Sequence, residues 1–178
     1  MSKYEIENVK LTAPKLDRND LEYAMTYRYA CKKFDSTKKI SEEDWNAILR
    51  AARLAPTSLG FEPFELLVIQ NPEIREKMKA HGWGILAGLE ASHVVVFLAR
   101  KKVDLEFDSP YIRHIQEEVK QLPAEVDAAY REKYAQFTTS DFKTFESERA
   151  AFDWASKQAY IVMARSEERR VGKECSEP

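Results

Sequence analysis

The chain has 178 residues, 44% of them hydrophobic and 33% charged, with a formal net charge of −2 and an isoelectric point near 6.0. Those values fit one soluble domain long enough to bury a core and exclude the strong basic excess of a dedicated nucleic-acid binder. No apolar run reaches membrane-spanning length, the polar start MSKYEIENVK is no secretory signal, and two cysteines, Cys31 and Cys175, imply a reducing compartment without a disulfide framework, so a cytoplasmic protein is expected.

Residues 1–18 carry little periodicity and read as a lead-in arm. Asn19 or Asp20 can cap a helix burying Leu21, Ala24 and Met25. The stretch Arg28-Tyr29-Ala30-Cys31-Lys32-Lys33-Phe34 follows, with two cations four residues apart, and Asp35-Ser36-Thr37 reads as a turn. From charge alone the basic stretch is a solvated helix end. Ser41 and Asp44 resemble a capping box, and Trp45, Ile48, Leu49 and Ala52 then recur at helical spacing.

Ala55-Pro56-Thr57-Ser58-Leu59-Gly60-Phe61-Glu62-Pro63-Phe64 breaks the helical pattern as an ordered loop, in which Gly60 is free to take a positive φ. ELLVIQ, residues 65–70, has the length and apolarity of a buried strand. Asn71-Pro72-Glu73 supplies an N-cap, an N1 proline and an acidic first turn for a helix to about His81. A weaker helix spans Ile85 to Ala91. HVVVFLA, residues 93–99, is the strongest strand signal and is expected at a central, doubly covered position.

Beyond it the pattern is helical. Ser109-Pro110 opens a helix with Ile112, Ile115, Val119 and Leu122 on one face. Pro123 restarts a helix carrying Val126, Tyr130 and Tyr134 to about Gln136. Thr138-Thr139-Ser140 are expected to cap a last long helix that turns Phe145, Phe152, Ala155, Ala159 and Val162 inward. Two strands make a marginal sheet, so either weaker strands escape the pattern or the chain is missing some.

Metal chemistry has little support, because His81, His93 and His114 are scattered. With five glycines and no phosphate-loop or nucleophile-elbow motif, enzymatic chemistry would have to come from a bound cofactor. Cys31 reads as a small packed residue before a redox thiol, and His93 as a structural histidine.

Four pieces in this order resemble the flavin-dependent nitroreductase family, the FMN-binding NAD(P)H oxidoreductases. RYACKKF is similar to the family's first motif, and APTSLGFEPF resembles its Pro-Ser-Ser-x-Asn-x-Gln-Pro-Trp loop. EASHVVVFLA is similar to its central strand, and DWASKQAY, residues 153–160, to the start of its long central helix. The resemblance covers about Asp20 to Ala164. It implies an α+β fold with helices around a small mixed sheet, incomplete in this chain. It also implies a homodimer with FMN at the interface.

By that resemblance the cofactor-binding residues are Arg28, Tyr29, Ala30, Lys32, Pro56, Thr57, Ser58, Gly60 and Gln158. Arg28 would take the flavin phosphate, where a guanidinium binds bidentately. Lys32 would face the pyrimidine end, where reduced flavin gathers negative charge. Thr57 and Ser58 would reach the flavin from the partner subunit's loop. Gln158 matches a position near the flavin and serves equally as a helix-packing residue. No protein acid or base is required, and no metal. Hydride would pass from NAD(P)H to FMN and then, in ping-pong order, to a nitroaromatic, quinone or similar acceptor.

The sequence departs from the family pattern at Ala30, which lacks a hydroxyl, and at Gly60 and Glu62, where the family carries Asn and Gln. The Asn and Lys that often stand near the flavin align with Gly84 and Ala87. Residues 165–175, RSEERRVGKEC, resemble the translation of a sequencing-library adapter, so 1–164 is expected to be a partial domain and 165–178 a foreign tail. Such a fragment is expected to bind FMN poorly or not at all, which would make it an inactive fragment of the enzyme. Two alternatives stand beside this reading. One is a non-catalytic α-rich binding domain using the charged helices from Asp108 to Arg149. The other is a relative that reduces a dihydropteridine or quinone.

Overall fold

A computed structural model describes residues 17–26 and 31–166. The chain divides into two units at Ala30 and Cys31. In the first, α1 spans Arg18–Thr26. It starts before the expected caps Asn19 and Asp20, and the Asp17 carboxylate accepts from the Asn19 amide at 2.7 Å. Met25, expected to be buried, is 72% exposed.

The second unit begins with the expected turn, in which the Asp35 carboxylate accepts from the Thr37 amide and hydroxyl at 3.0 and 2.6 Å. Helix α2, Glu42–Arg53, is capped by Ser41, whose hydroxyl accepts from the Asp44 amide at 3.1 Å. A short 3₁₀ turn, Ser58–Gly60, leads into strand β1, Phe64–Ile69. Helix α3, Pro72–Lys79, follows the Asn71 cap, and a 3₁₀ turn at Ala87–Glu90 precedes strand β2, Val94–Ala99. Replacing Asn71 by alanine frees the amides of Glu73 and Ile74, both bound by the Asn71 side chain. A loss of about 1 kcal/mol is expected in urea unfolding.

The two strands pair antiparallel, with Phe64 opposite Ala99 and Ile69 opposite Val94, and form the whole sheet among the described residues. Here β2 has one neighbour, and its residues are half-buried or exposed rather than buried throughout. Arg75 of α3 binds the sheet end to the segment before β2. Its guanidinium donates to the carbonyls of Ile69, Leu89, Ala91 and Ser92 and to the Gln70 side chain.

Between β2 and the last helix lies a helical excursion: α4, Lys102–Leu105; α5, Pro110–Arg113; and α6, Ala124–Gln136. α5 and α6 each run on into a π-type segment, His114–Val119 and Phe137–Asp141. The wider turn changes which residues face inward. Ile112 and Ile115 are buried as expected, whereas Val119 is 52% exposed. Thr138-Thr139-Ser140 continue α6 instead of capping the next helix. That cap is Ser147, which accepts from the Ala150 amide at 3.0 Å and opens α7, Glu148–Arg165.

Helix α7 buries Ala151, Trp154, Ala155, Gln158, Ala159 and Val162, a stripe at three- and four-residue spacing. It packs on β2, α2, β1 and α4. Phe152, expected inward, points off this stripe and is half exposed. The core sits where the excursion meets the loop before β1: Phe61, Ile112, Ile115 and Tyr134 form one cluster, and Leu105, Trp154 and Ala155 another. No described helix is long and apolar enough to cross a membrane.

Candidate functional site

A cavity of about 1080 Å³ opens between α2, β2 and α7. Its walls are mostly apolar, built from side chains such as Trp45, Leu49, Phe97 and Tyr160, and its size suits a cofactor or an extended substrate. Lys32 stands on this wall, exposed and without an ion-pair partner among the described residues. Gly84 and Ala87 line the same cavity. Gly84 has φ +74°, and a Cβ there would meet nothing within 4 Å.

His93 also lines it, stacked on Trp45 with centroids 4.1 Å apart. Burial, followed by the nearby Arg75 and Lys39 charges, lowers its pKa. The ring is therefore neutral at pH 7, and its Nδ1 lies 3.0 Å from the Ser92 hydroxyl. The stacking and this contact together fix the orientation of the ring. Cys31 is half-buried, and its sulfur lies 3.2 Å from the Lys33 carbonyl oxygen.

The second group of expected residues lies in the loop. Pro56 and Gly60 are exposed, and Thr57 and Ser58 are half-buried. Gln158, buried in α7, accepts from the Ser58 amide at 2.8 Å and fixes the start of the loop. Neither the Thr57 nor the Ser58 hydroxyl has a hydrogen bond among the described residues, so both are available to a ligand. Gly60 takes the expected positive φ, +60°. Leu59 and Glu62 do so as well, at 60° and 47°. Arg28, Tyr29 and Ala30 lie outside the described residues.

The loop is held by groups that the sequence patterns do not connect with it. Tyr111 donates from one hydroxyl to the Phe61 and Glu62 carbonyls, at 2.9 and 2.7 Å. Its ring carries the Arg100 guanidinium 3.7 Å from its centroid. Lys120 and Tyr130 both donate to the Leu59 carbonyl, at 2.9 and 2.5 Å. Tyr130 stands in a helical stripe that marks it as a packing residue, and only its polar tip hints at more, whereas Tyr111 and Lys120 carry no signal in the pattern. No group of three or more potential metal ligands occurs among the described residues.

Residues 25–167 match the nitroreductase family profile. The chain belongs to the nitroreductase family. One curated relative, from Bacillus subtilis (strain 168), is provisionally named NAD(P)H nitroreductase YfkO; it is 45% identical over 141 residues, covering 79% of this chain and 64% of its own length. A Staphylococcus epidermidis nitroreductase, named on the same provisional terms, is 46% identical over 142 residues, covering 79% and 63%. The chain thus spans under two thirds of the length of these relatives.

Solved nitroreductases share the fold. One from Bacillus subtilis superposes with a TM-score of 0.67 at 15% identity, over 87% of this chain and 72% of its own. Another, from Exiguobacterium sibiricum and solved with FMN, gives 0.66 at 20% identity, over 87% and 71%. Four sequence motifs in order pointed to this family, and the family match bears that reading out.

Proposed function

We propose that this chain carries the flavin-binding part of an FMN-dependent NAD(P)H oxidoreductase. The observation that carries the reading is Lys32, a cation without a carboxylate partner among the described residues, on the wall of an apolar cavity also lined by Gly84 and Ala87. A planar aromatic group with one polar, electron-rich edge suits such a wall. The Thr57 and Ser58 hydroxyls do not line this cavity, and in the dimer of this reading they would meet the polar parts of a flavin from the partner subunit's loop, so that Lys32 is the cation this chain's own cavity offers FMN. Family membership and a family neighbour solved with FMN support the same assignment.

Bound FMN would accept hydride from NAD(P)H and deliver electrons to a small acceptor such as a nitroaromatic or a quinone, in ping-pong order. The protein's own contribution is electrostatic and positional. Lys32 holds a fixed positive charge where negative charge develops, which lowers the barrier without moving a proton. Arg28 binds phosphate through its planar fork. Gln158 holds the Ser58 amide, so the loop presents its hydroxyls in one arrangement. The apolar side chains of the cavity would pack against the flat faces of the flavin ring. The reading includes a homodimer sharing the flavin between subunits, and a cytoplasmic setting, where NAD(P)H is held. It also retains 1–164 as the nitroreductase-like segment and 165–178 as foreign to it.

Titration of the purified chain with FMN, followed by quenching of flavin fluorescence, tests the proposal. Saturable binding is expected, weakened about tenfold or more by Lys32→Met and by Arg28→Met, since each removes a charge-assisted contact. No uptake of FMN by the folded chain would defeat the reading for this polypeptide. Equal affinity in both variants would refute the roles given to Arg28 and Lys32.

A further inference from the structure

The loop between α2 and β1 holds a backbone that its own sequence does not favour. Leu59 and Glu62 sit at φ 60° and 47°, on either side of Gly60 at +60°. Glycine adopts this region freely, but leucine and glutamate do so at a cost and persist there only when their surroundings hold them.

What holds Leu59 comes from far along the chain. The Lys120 ammonium, at the end of the π-type segment, and the Tyr130 hydroxyl, on α6, converge on its carbonyl. The ammonium also lies 4.7 Å from the Phe61 ring centroid and 4.9 Å from that of Tyr130. It therefore sits against two aromatic rings while donating to a carbonyl, an arrangement in which charge and ring quadrupole attract. Lys120 Nζ would stand 3.4 Å from a Cβ built on Gly60, so the same ammonium borders the glycine turn. Space filling alone would be met by a methionine; two donors on one carbonyl of a left-handed residue require polar tips at those places.

Resting on the flavin reading above, we propose that Lys120 and Tyr130 are positioning residues for the cofactor loop: by clamping the Leu59 carbonyl they hold the adjacent Thr57 and Ser58 hydroxyls in the arrangement that receives FMN. Neither residue needs to touch the flavin. Tyr111, on the Phe61 and Glu62 carbonyls, fixes the far end, and Gln158, on the Ser58 amide, fixes the near end. Lys120 and Tyr130 fix the middle, where the backbone is left-handed. The helical excursion thereby sets the conformation of a loop some 60 residues away in sequence.

The test compares wild type, Lys120→Met, Lys120→Arg, Tyr130→Phe and the Lys120→Met/Tyr130→Phe double variant by two readouts. The first is amide hydrogen exchange of the chain without added flavin, taking residues 58–62 against α2 as an internal reference. The second is FMN affinity by fluorescence quenching. Lys120→Met is expected to speed loop exchange and weaken FMN binding, each by about tenfold, because it removes a charge-assisted bond. Tyr130→Phe is expected to act in the same direction, with the double variant short of the product of the singles. Lys120→Arg is expected to restore most of both, since it keeps a donor and a charge. Loop exchange unchanged in Lys120→Met and Tyr130→Phe overturns the clamp. A freed loop with unaltered FMN affinity overturns its link to the cofactor. Equal loss in Lys120→Arg and Lys120→Met also counts against it, showing that shape rather than donation matters. Should wild type take up no FMN, the functional reading fails, and exchange at the loop decides the clamp by itself.

Discussion

Replacing Phe61 by alanine is expected to lower the stability of the fold by about 3–5 kcal/mol, the range for emptying a fully buried aromatic site. Phe61 is 0% exposed. Its ring meets Tyr134 at 4.6 Å and Tyr130, edge-on, at 5.7 Å, and the Lys120 ammonium approaches one face. Removing it opens a void at the junction of the loop and the excursion, and it strips Lys120 of one of its two rings. A domain of this size is stable by only about 5–15 kcal/mol, so the variant would be partly unfolded at moderate urea or temperature. Urea unfolding followed by far-UV circular dichroism measures the change. Trp83→Ala is the control: Trp83 is 99% exposed, and a shift within about 0.5 kcal/mol is expected there. Comparable shifts in the two variants would show that the Phe61 cluster is not a core.

Arg75→Met is expected to cost about 3 kcal/mol, because hydrogen bonds to a charged group are the stronger kind and the carbonyls left behind stay partly buried. The guanidinium ties two stretches of chain to α3. It bonds the Ile69 carbonyl at 2.9 Å and the Gln70 side chain at 2.6 Å, at the end of β1. It reaches the Leu89 and Ala91 carbonyls at 3.3 and 2.6 Å, and that of Ser92 at 3.1 Å, just before β2. Lysine has no planar fork and cannot serve these acceptors together, so Arg75→Lys is expected to recover less than half of the loss. Beyond the change in urea midpoint, amide exchange should rise at Ala91–His93. An Arg75→Lys variant as stable as wild type would refute this account.

Much of the fold could be read from local signals. Ser41 with Asp44, and Asn71 with Pro72, announce the starts of α2 and α3, and both side chains make the capping bonds expected of them. The two apolar runs are the two strands. Legibility failed at 114–119 and 137–141, where the Lys120 amide bonds back to Ile115 and the Phe142 amide to Phe137, five residues in each case. A periodicity of 3.6 cannot show that slip, so Val119 was expected inward and the Thr138-Thr139-Ser140 caps were misplaced. Family membership was legible from motif order. At the site, Lys32 and the loop are named by the family resemblance, because charge and spacing alone make the basic stretch a solvated helix end. The clamp on Leu59 could not be found, because a tyrosine at helical spacing carries the signature of a core residue, and its hydroxyl's acceptor is set by tertiary packing alone.

The sheet has one more consequence. Among the described residues β2 pairs on one side only, and its sequence, VVVFLA, is six residues without a charge, a proline or a glycine. Uncharged, β-branched segments of that length are the ones that stack into intermolecular β-structure when left uncovered. Folding must therefore bring α7 down onto β2 before a second chain finds the same edge. The race between intramolecular cover and self-association, rather than the final packing energy, sets how much of the protein reaches its folded form when chains are crowded.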